Sequence, residues 1–322
     1  MKCSIAAAVA VVAAFVTARL ALAHGGSGGP PPRDPVAVAL AWHVDLPMIL
    51  ALALATAVYL AAVGSVDAAH PGNRWPRRRT TAFIGALVAV GIALLSPVDT
   101  LSDDLLTVHM VQHLLLVAVA APLFAASGIG TLALRAGSAG TRDSVLLPIL
   151  RSRAVGILTF PVVGWLAFAG TMWGSHFSTL YNLALLDDSV HAFEHLLYLA
   201  AATLFWWPVL SPDPLRWRLH PGAKLLALLA QMPPMSFLAV AIISASTPLY
   251  PAYLGRPDAF GIDALTDQRI AGSLMWLIGD FAFLVPGAFL LLAWFRHEEA
   301  ETRRVDARLD RARRAAHPRK ET

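Results

Sequence analysis

Apolar residues dominate seven stretches of the chain, each about 18–25 residues long and set off by polar or proline-containing segments. About 20 mostly apolar residues allow a helix to cross the hydrocarbon core of a bilayer. A helix also pairs its own backbone groups, as that environment requires. The pattern therefore predicts an all-α polytopic membrane bundle with seven transmembrane helices. The predicted spans are residues 45–66, 80–97, 106–126, 154–173, 189–210, 223–244 and 270–295.

The N-terminal segment has the pattern of a secretory signal peptide. Lys2 precedes an apolar run, and Ala21-Leu22-Ala23 supplies small residues before a cleavage site. We predict a signal peptide over residues 1–23, with an uncleaved first membrane span as the alternative. Residues 24–44 are rich in glycine and proline and predict a flexible outer segment ahead of the membrane domain, residues 45–295.

Lysine and arginine are distributed unevenly between the two sets of connecting segments. The connections on one side hold 20 of these residues and those on the other hold 3. Cytoplasmic loops retain the basic residues, so the N-terminus is predicted outside and the C-terminus in the cytoplasm of a cell inner (plasma) membrane. The Arg74–Arg79 segment is interpreted as a topology anchor, not a nucleic-acid patch. Residues 296–322 predict a basic cytoplasmic tail with helical charge spacing.

The overall composition agrees with a membrane protein and narrows its chemistry. Hydrophobic residues make up 57% of the chain, charged residues 14%, and the mean hydropathy is +0.61. Soluble domains carry about 25% charged residues. The single cysteine, Cys3, lies in the predicted signal peptide, so the mature chain is expected to lack a thiol. That expectation excludes disulfides, iron–sulfur clusters, cysteine-ligated zinc and a cysteine nucleophile.

Two predicted spans begin with the same histidine pattern, V-H-x-x-[Q/E]-H-L-L. The pairs are His109 and His113 in the third span, and His191 and His195 in the fifth. Residues four apart share one face of a helix, and both helices are predicted to run inward from the outer surface. Because ionisable groups in a membrane cost free energy and usually mark a site, we expect all four to face one shared cavity open to the outside. A metal or haem site is favoured over purely structural histidines.

Further residues extend this candidate site. His43 precedes the first span, His176 is expected in the outer loop after the fourth, and Glu194 could orient a histidine or balance charge. The outer loops also contain several aspartates, for which ordinary solvation is the better interpretation.

Methionines gather at the same level of the predicted bundle. Five of the six after Met1 fall in the outer half of their spans, and the sixth, Met232, lies near the middle of its span. Thioether and imidazole groups without thiolate suit copper, especially Cu(I). We take Met110 and Met235 as additional soft-ligand candidates. The five outer methionines are Met48, Met110, Met172, Met235 and Met275.

The combined motifs resemble those of the CtaG family of cytochrome c oxidase assembly factors. The matching pieces are H-M-V-Q-H-L-L-L in the third span, H-A-F-E-H with Trp-Trp-Pro in the fifth, M-P-P-M in the sixth, Asp267-Gln268, and the Gly272/Trp276 region. The resemblance implies a non-enzymatic role in maturing a caa-type oxidase, and in particular its copper centres. Oxidase subunits and the lipid bilayer are the implied partners, and nucleic acid is not.

Two other functions remain open on the sequence. His191, Glu194 and His195 also form H-x-x-E-H, a zinc metallopeptidase pattern that needs a third ligand and a water-accessible cleft. Histidines on facing helices could instead be axial haem ligands of a membrane cytochrome. Asp280, inside the seventh span, could relay protons or bond to a neighbouring helix.

Overall fold

The structure is a computed structural model that describes residues 34–42 and 44–316, and those residues form helices, turns and loops without strands. This confirms the predicted all-α helical bundle. The predicted signal peptide, most of the glycine- and proline-rich segment after it, and His43 lie outside the described residues.

Seven long helices follow the order of the seven predicted spans. They are numbered α1 (Leu46–Ala69), α2 (Arg77–Leu95), α3 (Leu106–Ala136), α4 (Pro161–His176), α5 (Asp188–Leu210), α6 (Pro221–Ser244) and α7 (Ala264–Ala316).

Shorter helical pieces connect the long helices, and two local features interrupt α3. A π-helical segment runs from Leu115 to Ala120 within α3, and Gly128 adopts the left-handed φ of 71° further along it. The connecting pieces are Pro35–Ala39, Pro97–Ser102, Ala139–Thr141, Arg142–Leu146, Leu147–Leu150, Arg153–Leu158, Thr179–Ala184, Pro251–Tyr253 and Pro257–Phe260.

Among the described residues, six helices are long and apolar enough to cross a membrane. The exception is α4, which has 16 residues and a length of about 24 Å at 1.5 Å per residue, against a bilayer core of about 30 Å. The predicted fourth span, 154–173, is divided because Pro161 starts a new helix after Arg153–Leu158. The count of seven spans therefore stays a prediction.

The packing shows that α3 and α5 are parallel, and that α4, which lies between them in the chain, runs in the opposite direction and packs on α5. The rings of His109 and His191, near the two N-termini, have centroids 5.0 Å apart. At the other end, Asp213, which follows α5, accepts hydrogen bonds from the backbone of Gly130 and Thr131 in α3. We call the first end of the bundle, at the N-termini of α3 and α5, the histidine end. The opposite end, where Arg79 and Arg135 lie over the Trp75 ring, is the arginine end.

The core of the bundle lies between α3, α4, α5, α6 and α7. Trp206 stacks on Phe283 with ring centroids 5.5 Å apart, and its indole N–H donates to the carbonyl of Val117. Large apolar side chains such as Phe237 and Phe289 are instead mostly exposed on the outside of the bundle. Exposed apolar faces of this kind suit contact with lipid.

The seventh helix is longer than its predicted span. It continues without a break from Ala264 to Ala316, 53 residues, which is about 80 Å at 1.5 Å per residue. Its last part bears exposed polar pairs such as Arg303 with Glu299, 3.3 Å apart. The tail predicted from residue 296 is therefore helical through Ala316 and continuous with the seventh span.

The orientation of the bundle can be tested with reporter fusions. Alkaline phosphatase, which is active only outside the cytoplasm, should be inactive when fused to the C-terminus of the full chain. The same enzyme fused after Leu186, between α4 and α5, should be active because the histidine end is predicted outside. Activity at the C-terminus would reverse the orientation, and an inactive Leu186 fusion would show that α4 does not return the chain across the membrane.

Candidate metal centre

The two histidine pairs predicted from the sequence meet at the histidine end. Within each pair the ring centroids are 4.2 Å apart, as expected for residues four apart on one helix face. Between the helices, the centroids of His109 and His191 are 5.0 Å apart and those of His113 and His195 are 5.4 Å apart. The four rings therefore form one cluster.

Glu194 places a carboxylate among these rings. Its Oε2 atom lies 3.8 Å from Nε2 of His113 and 4.0 Å from Nε2 of His109. His109, His113, His191 and Glu194 each offer a ligand atom, and these four atoms all lie within 4.8 Å of one another. Ligands at about 2.0–2.2 Å from a tetrahedral metal lie roughly 3.3–3.6 Å apart, so small side-chain rotations would bring this group around an ion.

His195 is not one of the four residues whose ligand atoms lie within 4.8 Å of one another, but its ring is adjacent to those of His191 and His113. We refer to His109, His113, His191, Glu194 and His195 together as the histidine–glutamate cluster.

The cluster is buried, and several of its polar atoms need a partner. His109 and Glu194 are 0% exposed, His113 is 3% and His191 is 8% exposed. Within the described part of the chain, Nδ1 of His109, Nδ1 of His113 and both carboxylate oxygens of Glu194 have no partner in good hydrogen-bond geometry. The Ser102 backbone and the Tyr198 hydroxyl interact only weakly with His109 and Glu194, respectively. Buried polar groups are nearly always satisfied, and a group left without a protein partner points to an ion or water. A buried carboxylate beside neutral imidazoles fits a cation.

The N-terminus of α3 is fixed by a residue from α7. The carboxylate of Asp267 accepts hydrogen bonds from the backbone N–H groups of Leu106 (2.7 Å) and Thr107 (3.1 Å). These N–H groups have no partner inside the helix, so an acceptor from another segment stabilises them. The cap sets the first turn of α3 and with it the position of His109.

The next residue, Gln268, fastens the loop that covers this end. Its side chain accepts from the backbone N–H of Leu249 at 2.6 Å and donates to the carbonyl of Ile242 at 3.0 Å. The Asp267-Gln268 pair therefore joins α3, the end of α6 and the loop after it. This gives a structural role to a motif that the sequence indicated only by resemblance.

The two glutamine/glutamate positions of the repeated motif have different surroundings. Gln112 donates from its amide to the carbonyl of Ala93 at 2.9 Å and to the carboxylate of Asp99 at 2.6 Å. It thus attaches α3 to the end of α2, whereas Glu194 points into the cluster. Solvation alone was the wrong interpretation for Asp99, since its carboxylate is bonded to this buried amide.

Tyrosines cover the cluster, a feature that the sequence analysis missed. Four of the five tyrosines in the chain lie here. The ring of Tyr181 is 5.1 Å from that of His109 and 4.3 Å from that of Tyr250, and the ring of Tyr198 is 4.4 Å from that of His113. Tyr253 lies edge-on to His109. Because tyrosine is rare in this chain, these residues could have been noticed in the sequence. Their position over the cluster could not be predicted, because they come from separate segments that only the fold brings together.

The tyrosine cover makes the site closed, in contrast to the predicted cavity open to the outside. Tyr181, Tyr250 and Tyr253 are each at most 2% exposed. Burial raises the pKa of all three phenols, so they remain protonated and can act as neutral hydrogen-bond donors. The loops after α4 and after α6 close over the histidines because these aromatic rings pack together above them.

The remaining predicted site residues have varied positions. His176 is the last residue of α4, not a loop residue, and it is buried. Together with Met110 and Met235 it lines a cavity next to His113. Asp280, whose role was left open, accepts hydrogen bonds from the hydroxyl of Ser236 on α6 at 3.2 and 3.3 Å.

Removing the Asp267 cap should weaken the fold at the site. We expect Asp267→Ala to lower the free energy of unfolding by about 1–3 kcal/mol, because two N–H groups at a buried helix end lose their acceptor. Asp263→Ala is the matched control: Asp263 bonds the backbone of Leu265 and Thr266 but is exposed. Water can replace it, so its loss should lower the free energy of unfolding by clearly less than the loss of Asp267 does. Denaturation in mixed micelles, followed by tryptophan fluorescence, measures both values, and equal losses would contradict the positioning role of Asp267.

Comparison with known proteins adds a family match. Residues 57–297 match the sequence model described as cytochrome c oxidase caa3 assembly factor (Caa3_CtaG). Curated relatives include an uncharacterised protein of Mycobacterium leprae, 27% identical over 294 residues, covering 87% of this chain and 43% of the relative. Uncharacterised proteins of Mycobacterium bovis and Mycobacterium tuberculosis are each 25% identical over 289 residues, covering 88% of this chain and 43% of the relative. The chain thus spans less than half the length of these relatives. No solved structure matches it significantly.

Proposed function

Because the chain belongs to the cytochrome c oxidase caa3 assembly factor family, we propose that it holds copper at the histidine–glutamate cluster and supports maturation of the metal centres of a cytochrome c oxidase. The observation that carries this proposal is the buried group of His109, His113, His191 and Glu194, whose ligand atoms lie within 4.8 Å of one another. Copper is here the cargo of the protein.

The donor set supports copper over other metals. Imidazole suits copper and zinc alike, and thioether ligands favour Cu(I). Met110 and Met235 line the cavity that includes His113, which places soft thioether donors next to the cluster. A site made mainly of neutral imidazoles, with one carboxylate to balance charge, can hold either a monovalent or a divalent ion.

The position of the cluster also supports a role in supplying a membrane enzyme. It lies at the end of the bundle that the distribution of basic residues predicts outside the cytoplasm. The client subunits of the oxidase are expected in the same inner membrane, so the cargo can reach them from this side. The tyrosine cover keeps water from the ion until a client approaches.

The two alternative functions fit the geometry less well. A haem macrocycle between axial histidines needs much more room than rings 4.2–5.4 Å apart leave. A metallopeptidase needs a cleft that admits a polypeptide and a water molecule, whereas His109 and Glu194 are fully buried under the tyrosine cover. The nearby histidines of α3 could supply the third ligand that the H-x-x-E-H pattern needs, but no route for a peptide accompanies them in the described structure.

Copper content and oxidase activity test the proposal together. In a strain lacking the gene, His109→Ala and His191→Ala should restore little oxidase activity under copper limitation, although the variants accumulate in the membrane. The purified variants should contain less copper than the wild type. His70→Ala is the control, because His70 is exposed and lies at the arginine end. Full oxidase activity in both cluster variants under copper limitation would overturn the proposal.

A further inference from the structure

A small cavity lies next to the histidine–glutamate cluster and extends along the bundle toward the arginine end. Its volume is about 30 Å³, and its walls come from α3, α4, α5, α6 and α7. One water molecule requires about 10–15 Å³ measured in this way, so the cavity has room for a single small ion. Trp206 and Phe283 also form part of its wall.

Four methionines and two histidines line this cavity. The methionines are 2–5% exposed and come from four different helices. Thioether sulfur is a weak hydrogen-bond acceptor and packs well in apolar cores, so a single methionine here would need no explanation. Four around one cavity, beside two imidazoles, form a set of soft donors. We call this the methionine cavity; its donors are Met110, Met172, Met235, Met275, His113 and His176.

Each histidine of the cavity has a ring nitrogen that needs a partner. Nδ1 of His176 is 2.8 Å from the carbonyl of Met172, which fixes the proton on Nδ1 and leaves the lone pair on Nε2. That Nε2 atom is buried and has no hydrogen-bond partner in the described structure. His113 uses Nε2 toward His109 at 2.9 Å, and its Nδ1 has no partner among the described residues. A histidine whose tautomer is set by a backbone carbonyl is prepared to bind a metal through the other nitrogen.

The uncharged lining of the cavity favours a monovalent ion. No carboxylate lines the cavity in the described part of the chain, and its surroundings are largely apolar. A divalent cation would be left uncompensated in such a place, whereas a monovalent one is far less costly to desolvate. Thioether sulfur is a soft, neutral ligand, and such ligands suit Cu(I).

We propose that the methionine cavity is a second copper position, specific for Cu(I), and that His113 connects it with the histidine–glutamate cluster. This inference rests on the proposed function, because copper at the cluster is its starting point. His113 belongs to both places: its Nε2 lies 3.8 Å from Glu194, and its ring forms part of the cavity wall. An ion can pass between the two positions without leaving the protein and without a change of oxidation state.

Anaerobic titration of the purified full chain with Cu(I), in competition with a chromophoric Cu(I) chelator, tests the proposal. The wild type should bind two equivalents, and X-ray absorption should show sulfur as well as nitrogen neighbours. The double variant Met172→Leu/Met275→Leu should lose one equivalent and the sulfur signal. Leucine conserves volume, so the fold should tolerate it. Met48→Leu is the matched control, because Met48 is 2% exposed but packs in a different core cluster and does not line the cavity.

The outcomes separate this inference from the proposed function. One Cu(I) equivalent with only nitrogen or oxygen neighbours, unchanged in the double variant, would overturn the second position and leave the cluster intact. No copper bound by the wild type would overturn both. Zinc gives an independent check: the double variant should bind Zn(II) at the cluster as the wild type does, and a loss of zinc would show that the methionines act on the cluster and not at a separate position.

Discussion

Replacing His113 with alanine should cost the protein both of its proposed copper positions. His113 is the one cluster residue that also lines the methionine cavity among the described residues. Outer-shell residues typically change metal affinity by about 10–100-fold, so removal of a shared ligand should exceed about 100-fold. His191→Ala should instead lose the cluster equivalent and keep the Cu(I) equivalent bound with sulfur neighbours. Anaerobic Cu(I) titration of both variants measures the difference.

The two histidine variants need a control for stability. His113 contacts His109 and packs against Tyr198, so its loss also leaves a small buried space. His113→Asn keeps a polar group of smaller size and provides a check: its unfolding midpoint should be closer to that of the wild type while its copper affinity remains low. If His113→Ala and His191→Ala lose the same single equivalent, His113 does not connect two positions.

Glu194 should contribute more to the binding of divalent ions than to the binding of Cu(I). A carboxylate is a hard ligand that favours divalent ions over Cu(I). Glu194→Gln keeps the size of the side chain and makes the fifth-helix motif match the glutamine-containing motif of α3. We expect Zn(II) affinity to fall by more than Cu(I) affinity, and added copper to restore oxidase activity in this variant better than in His113→Ala. An equal fall for both ions would mean that Glu194 is not a ligand.

The part of this site that lies on single helices could be predicted from the sequence. The four-residue spacing places His109 with His113, and His191 with His195, whatever the rest of the fold does. That the pairs meet required one further inference, the parallel direction of α3 and α5, and the distribution of basic residues supplied it. Six of the seven predicted spans coincide with helices of the described structure that are long and apolar enough to cross a membrane, since the length and apolarity of a span are local properties. The fourth predicted span does not, because Pro161 divides it.

What could not be predicted depends on contacts between distant segments. Tyr181 and Tyr253 reach the cluster from two different loops, and no pattern within either loop indicates this. Asp267 caps a helix that begins 161 residues earlier in the chain. His176 was expected in a loop because the start of α4 was placed too early, before the break that Pro161 introduces. The sequence predicted that most of the methionines lie at a similar depth in the membrane, but not that four of them line one cavity.

The packing of α4 against α5 depends on one glycine, and its replacement should destabilise the protein strongly. A Cβ atom at Gly164 would lie 2.6 Å from the carbonyl oxygen of Leu204 and 3.1 Å from the Cα of Phe205. Both are backbone atoms that cannot rotate away, so the two helices must separate. Overpacking of this kind costs about 1–3 kcal/mol and occasionally more. Gly164→Ala should therefore lower the free energy of unfolding by at least about 2 kcal/mol.

Gly170→Ala is the matched control on the same helix. A Cβ atom there meets nothing within 4 Å, and alanine stabilises a helix interior by about 0.5–1 kcal/mol relative to glycine. The two variants should thus shift the unfolding midpoint in opposite directions in mixed micelles. Since α4 carries Met172 and His176, Gly164→Ala should also weaken Cu(I) binding with sulfur neighbours, while Gly170→Ala should not. A Gly164→Ala protein as stable as the wild type would show that α4 does not pack closely on α5, and the methionine cavity would then lose the wall that this helix provides.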